Sequence, residues 1–289
     1  MQDTEVVESL PQTNWVVAGA DCIGASHTKY QMPKEDHYFI REWSNGWGVT
    51  VASDGAGSCQ FSATGSRLVA QEYVPQFFLS QLSEYIQDNR PITLEAWRDI
   101  SYLALLECIR HLQQYAEAHG NSVHEYGCTV IVMVYSPYGL FCTHIGDGRA
   151  CYRDESGEWH ACMKPYNPDP ENPSITVFIT SPIWEMPELT KDYLESRTIE
   201  GATAFALLTD GVESYCFTCT PRDYETGDDP NLPSPAFFEP IYQNCTAAGL
   251  DAATISQDMA EYLSGAPRIS QEVDDKTLIF GYLRREACA

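Results

Sequence analysis

Two apolar runs constrain this chain most. Cys128–Tyr135 (CTVIVMVY) and Leu140–Ile145 (LFCTHI) are separated only by Ser136-Pro137-Tyr138-Gly139, a hairpin turn signal that makes them antiparallel neighbours. Further strands fit Trp47–Ser53 (WGVTVAS), Arg149–Arg153, Ser174–Thr180, Ala204–Leu208 and Thr277–Leu283. Between them lie helical patterns. Leu68, Val69, Glu72, Tyr73, Phe77 and Leu82 form an amphipathic set that Ser62 is placed to cap. A second helix runs from Thr93 towards His119, with Trp97, Ile100, Ala104, Cys108, Leu112 and Tyr115 on one face, until Gly120 and Asn121 stop it. A last helix covers about Asp251 to Leu263, and the Pro-, Asp- and Gly-rich stretch from Thr218 to Pro235 reads as a surface loop. Strands in meander-like succession with grouped helices predict an α+β protein with antiparallel sheet against helices, not alternating βαβ units. No internal repeat and no long linker divides the chain, so a single domain over residues 1–289 is expected.

Charge narrows the partners. With 41 Asp+Glu against 17 Lys+Arg, the net charge is -24, which repels nucleic-acid phosphates and anionic lipid, so neither nucleic acid nor membrane is expected as a partner. Met1 to Thr13 has no basic or apolar leader pattern, and no apolar stretch approaches the ~18–20 residues of a membrane span. Eleven cysteines, an odd number scattered through apolar runs such as those of Cys128, Cys142 and Cys151, suit reduced buried thiols and a cytoplasmic setting.

The chemistry lies in the acids. Asp54-Gly55, Asp147-Gly148 and Asp210-Gly211 each follow an apolar run, Glu35-Asp36 precedes the first strand read here, and Asp274-Asp275 abuts the last. A lone Asp-Gly pair is most simply a hairpin turn. Asp147-Gly148 fits that reading, with strands on both sides, whereas Asp54 fits it poorly because a helix follows. Acids at strand edges from all parts of the chain can converge at one end of a sheet. Their hard oxygens would then hold Mg²⁺ or Mn²⁺ rather than zinc.

The order and spacing of these pieces resemble the protein phosphatase 2C family, especially its compact bacterial branch. The pieces are Gly24-Ala25-Ser26-His27 with Glu35-Asp36-His37, then Ser53-Asp54-Gly55-Ala56-Gly57-Ser58, and Tyr126-Gly127-Cys128-Thr129. They continue with His144-Ile145-Gly146-Asp147-Gly148-Arg149, Thr209-Asp210-Gly211-Val212-Glu213 and Asp274-Asp275-Lys276-Thr277. The resemblance spans nearly the whole chain, with a catalytic core of about residues 15–284. It implies a four-layer α-β-β-α sandwich with two central antiparallel sheets and a site for two Mn²⁺ or Mg²⁺ ions, with an optional third. Carried across, Asp54 bridges both metals, Asp210 and Asp274 complete one shell, and Asp36 (or its neighbour Glu35) with the Gly55 carbonyl serves the other. Asp147 orients metal-bound water or binds the third ion. The implied reaction is hydrolysis of phosphoserine or phosphothreonine on proteins by a hydroxide bridging the two metals. A phosphorylated protein is the implied substrate and a cognate serine/threonine kinase the implied partner.

This chain departs from its relatives in places. Ala56 stands where some carry a His as proposed general acid; His27 and His144 are substitutes, each more simply a structural histidine. The Arg that binds substrate phosphate in some relatives is missing, which leaves Lys29, Lys34, Arg67 and Arg149 as candidates. The stretch between Gly157 and Glu200 is too short for a large flap, which predicts an open, shallow cleft suited to protein substrates. Rival chemistries fit less well. Cys216 and Arg222 have the spacing of a cysteine-phosphatase loop but enclose a Pro and no Gly. Leu208 stands where an aspartate-nucleophile motif needs a second Asp, and Cys216 with Cys219 lacks a second ligand pair for zinc. The alternative from another class is a weak or inactive phosphatase-fold module that binds a phosphoprotein or kinase. Such modules typically lose metal-binding carboxylates, and here every expected position is acidic.

Overall fold

A computed structural model describes residues 14–165, 176–185, 190, 194–219 and 229–284. Its strands are β1 (Asn14–Cys22), β2 (His37–Glu42), β3 (Gly48–Ser53), β4 (Val130–Ser136), β5 (Gly139–Ile145), β6 (Arg149–Arg153), β7 (Trp159–Ala161), β8 (Glu195–Ile199), β9 (Ala204–Leu208), β10 (Phe217–Thr218), β11 (Leu232–Pro233) and β12 (Lys276–Arg284). The helices are α1 (Ala25–Tyr30), α2 (Ser62–Leu68), α3 (Val74–Asp88), α4 (Leu94–Ala118), α5 (Asp210–Cys216), α6 (Pro235–Ala248) and α7 (Ala252–Gly265). A π-helical turn, Val69–Tyr73, joins α2 to α3.

Two five-stranded sheets form the centre, ordered β1-β12-β9-β6-β7 and β2-β3-β4-β5-β8. Every pairing within them is antiparallel. The continuous apolar runs have a direct cause, because successive side chains point to opposite faces and here both faces are covered. In β4, Ile131 and Met133 face the other sheet, where they join Trp15, Val17, Phe205, Leu207 and Ile279. Val130, Val132 and Val134 turn the other way, onto Phe78, Trp97, Leu105 and Leu112 of α3 and α4. The second sheet repeats the scheme, with Ala206, Leu208, Leu278 and Phe280 packed on Val212, Phe238, Ile255 and Leu263 of α5, α6 and α7. The layers are therefore α-β-β-α, as the resemblance implies.

Local signals hold at several ends. The turn after β4 pairs Ser136 with Gly139, leaving Pro137 and Tyr138 as its two loop residues. Thr93 caps α4 by accepting the Ala96 amide at 3.2 Å, and Asp251 caps α7 by accepting that of Thr254 at 2.8 Å. Three expectations change. Ser62 is the first residue of α2 and makes no cap; its hydroxyl donates to Glu35 Oε1 at 2.7 Å. The predicted strand Ser174–Thr180 has its first two residues outside the described set, and residues 176–180 are irregular. There the Ile179 amide donates to Cys128 O in place of a ladder. The loop predicted from Thr218 to Pro235, of which 220–228 lie outside the described residues, carries the short β10–β11 pairing at its ends. Among the described residues all ten cysteines are free thiols. No helix among them is long and apolar enough to cross a membrane.

Candidate metal centre

Strand register gathers the acids. β2 and β3 pair His37 with Ser53, so Asp36 and Asp54 stand side by side just beyond that pairing. In the facing sheet β9 pairs Leu208 with Leu278 of β12, so Asp210 and Asp274 overhang the same end. Asp147 corrects the hairpin reading: β5 and β6 belong to different sheets, so Asp147-Gly148 is a crossover between them. Gly146 turns the chain there with φ +117°, a region that favours glycine. One side of the crossover lies by Val130, which pairs with Ile145, and the other by Leu208, which pairs with Arg149. Asp147 thereby sits where the two sheets meet.

Asp36 is fully buried and is tied across the sandwich. The hydroxyls of Thr209 and Thr277, from the opposite sheet, donate to its Oδ2 at 2.7 and 2.8 Å. Its Oδ1 has no hydrogen-bond partner among the described residues. Burial pushes its pKa up to about 8, against the lowering effect of the two threonines and with the help of Asp275 and Asp210. Asp54 keeps some exposed area, yet its carboxyl lies in dense surroundings. That desolvation, followed by the charges of Asp210, Asp36, Asp147 and Asp274, holds its pKa well above the usual carboxylate range. Burial, then Asp210, raises Asp274 to about 6. The strongest influences on Asp54 besides burial are thus all carboxylates.

Sequence reading passed over Asp275. It is buried and accepts the amides of Gly24 at 2.6 Å and Glu35 at 2.5 Å, with His27 Nδ1 3.0 Å away. It therefore clamps the loop that delivers Asp36. The signal was present as the second acid of Asp274-Asp275, but only the tertiary fold says which of the two faces inward. Glu35 points elsewhere: Ser62 donates to its Oε1, and His27 Nε2 lies 3.8 Å from its Oε2. Gly55 bridges to Cys128 and packs tightly on Glu35 and Ser62.

The phosphate candidates divide. Arg149 is not free to bind substrate: buried, it donates to Glu213 at 2.8 Å, Asn231 at 2.7 Å and Asp229 at 2.7 Å. Lys34 pairs with Asp21, and Arg67 pairs with Glu72. Lys29 is exposed, its ammonium 5.0 Å over the Tyr30 ring. His144 is buried between the sheets with Nε2 2.9 Å from Gly146 O, and burial lowers its pKa. The Cys216 thiol is fully buried and bonded to Val212 O, and burial drives its pKa well above 9, which removes it as a nucleophile. The predicted open cleft falls partly on residues 166–175, 186–189 and 191–193, outside the described residues. Trp184, within that stretch, packs on Tyr102 of α4 with centroids 6.2 Å apart, on the helix side of its sheet.

The donor set suits a hard divalent cation. It consists of carboxylates, one of them with an unbonded buried oxygen, in mutual repulsion that an added positive charge would relieve. Among the described residues no three His, Cys, Asp or Glu side chains already converge as a closed ligand set. The acids share a field without yet sharing a point.

Comparison with known proteins agrees. The family model of Protein phosphatase 2C matches residues 23–264. Serine/threonine-protein phosphatase 3 of Escherichia coli (strain K12) is 25% identical over 273 residues, which is 92% of this chain and 97% of that protein. The serine-threonine phosphatase 2C from Toxoplasma gondii has the same fold, with TM-score 0.58 and 13% identity over 96% of each chain. So has the catalytic domain of the serine threonine protein phosphatase PstP, solved in complex with 2 manganese ions, with TM-score 0.54 and 13% identity over 94% of this chain and 100% of that one. The ordered motifs, the sandwich and a match over most of its length make the chain a member of the protein phosphatase 2C family, the serine/threonine protein phosphatases.

Proposed function

We propose that the chain hydrolyses phosphoserine and phosphothreonine on proteins with two divalent cations, Mn²⁺ or Mg²⁺, held at the acidic end of the sandwich. The observation that carries this reading is the convergence of carboxyls from both sheets around Asp54, where burial and the nearby Asp210, Asp36, Asp147 and Asp274 raise its pKa. Asp54 would be shared by both ions, Asp210 and Asp274 would serve one, and Asp36 with the Gly55 carbonyl the other. Asp36 is favoured over Glu35 because its Oδ1 is unbonded, while the Glu35 carboxylate is engaged by Ser62. When bound, such ions neutralise phosphoryl charge and lower the pKa of a coordinated water.

The residues of the chain supply position and field. Thr209 and Thr277 hold one oxygen of Asp36, which leaves the other to turn outward as a ligand. Asp147, at the sheet crossover, would orient the attacking water or hold a third ion. No side chain at Ala56 can give the leaving alcohol a proton, and buried His144 is bonded to its own turn, while His27 lies by Asp275 and Glu35; bound ions would supply an acidic water for that role. A kinase that phosphorylates Ser or Thr on proteins is the class of reaction that supplies the substrate. The inactive-module alternative finds no support in these acids, because none of the expected positions has lost its carboxylate.

The test is hydrolysis of a phosphothreonine peptide by purified protein. Turnover with Mn²⁺ that stops in EDTA is expected. Turnover that survives EDTA, or phosphopeptide binding with no turnover at saturating Mn²⁺, contradicts the proposal.

A further inference from the structure

Exposed apolar side chains gather on the segments beside the carboxylates. Eight large hydrophobic side chains are exposed among the described residues, and four of them, Ile23, Tyr30, Met32 and Val273, fall on two short segments next to the site. One segment runs from β1 through α1 to Asp36, and the other ends at Asp274. The two are bonded together: the Ala25 amide donates to Glu272 O at 2.9 Å and that of Ser26 to Val273 O at 3.0 Å. Gly24 lies so close that an added Cβ would stand 2.5 Å from Val273 O, so the segments form one ridge. The Met32 amide donates to His27 O, which folds the end of α1 back onto the same ridge.

Scattered exposed hydrophobics need no explanation, but concentration beside a reaction centre marks a contact surface. This ridge leads to the acids proposed to hold the ions, so the exposed Ile23, Val273, Met32 and Tyr30 lie on segments that flank the place where a phosphate would be presented. Net charge selects further, since a surface at -24 repels an acidic segment. We propose that this ridge docks the substrate chain beside its phosphoresidue and selects phosphoproteins whose flank is apolar and free of acids. The inference deepens the proposed phosphatase reading and rests on it.

Two phosphothreonine peptides test it, one with Leu or Met flanking the phosphoresidue and one with Ser in those places, alongside p-nitrophenyl phosphate, which has no flank. The wild type should prefer the apolar peptide through KM. Tyr30→Ser combined with Met32→Ser, both surface changes, should raise KM for that peptide by about tenfold, the equivalent of roughly 1.4 kcal/mol of lost burial. Its kcat and the p-nitrophenyl phosphate rate should stay within about twofold of wild type, and the Ser-flanked peptide should be little changed. Val273→Ser is the second variant and should shift the peptide preference in the same direction. Equal KM for both peptides in the wild type, or an unaltered preference in the variants while p-nitrophenyl phosphate is still hydrolysed, overturns the docking ridge alone. Loss of all metal-dependent hydrolysis in the wild type overturns the phosphatase reading and the ridge with it.

Discussion

Two groups of acids share the same turns yet meet opposite conditions. Asp147 is followed two residues later by Arg149, and Asp210 three residues later by Glu213. Around Arg149 the acids Glu213 and Asp229 close on a guanidinium at 2.8 and 2.7 Å, with Asn231 beside them. At the sheet ends Asp36, Asp54, Asp210 and Asp274 have one another, and burial pushes the carboxyls of Asp36, Asp54 and Asp274 upward. The first group is built on a shared guanidinium and pins Asp229 and Asn231 to β6. In the second, burial and the acids' mutual repulsion dominate. Buried acids set on a fixed guanidinium hold shape, whereas buried acids that raise one another's pKa values are poised for an ion from outside.

Exchange of charge in each group separates the two roles. Asp54→Asn should cut turnover by about 10⁴-fold, several kcal/mol of transition-state stabilisation. The metal-free melting temperature should not fall, because the change removes repulsion; circular dichroism melts in EDTA check this. Arg149→Met should do the reverse. It removes the guanidinium shared by Glu213 and Asp229 and should cost about 3–5 kcal/mol of folding stability, read from urea denaturation. If both variants act only on stability, the contrast collapses.

The acid end also sets a pH dependence. Its carboxyls have raised pKa values in the folded chain, so the advantage of their protonated forms is complete below about pH 4, the unfolded range, and fades as pH rises. It is lost through about 6 for Asp274 and about 8 for Asp36. Metal-free protein should therefore melt at a lower temperature at pH 8 than at pH 5 on account of these groups. Mn²⁺ should restore more at pH 8, where the carboxylates are ionised. A thermal shift from Mn²⁺ that is larger at pH 5 breaks this link. The smallest effect belongs to Cys216→Ser, which should leave turnover within about twofold of wild type because the thiol is buried and protonated.

Much of the site was legible because it is written in local pieces. An apolar run ending in Asp-Gly signals Asp54 and Asp210, and the run itself located Ala204–Leu208 residue for residue. What escaped is what local sequence cannot hold. Asp147-Gly148 has strands on both sides in a hairpin and in a sheet crossover alike, and only the pairing of β6 with β9 separates the two. Arg149 looks like a phosphate ligand until Glu213, Asp229 and Asn231, 64 to 82 residues away, are brought to it. Ser62 lost its capping role to a partner 27 residues upstream, Glu35. The role of Asp275 likewise depends on amides some 240 residues earlier in the chain.

The most direct test of the sheet-end acids as an ion site is a calorimetric titration of metal-free protein with Mn²⁺, for the wild type and for Asp54→Asn. Saturable binding of at least two ions per wild-type chain is expected, with loss of at least one and marked weakening of the rest in the variant. Absence of saturable binding, or the same stoichiometry and affinity in both proteins, would contradict it.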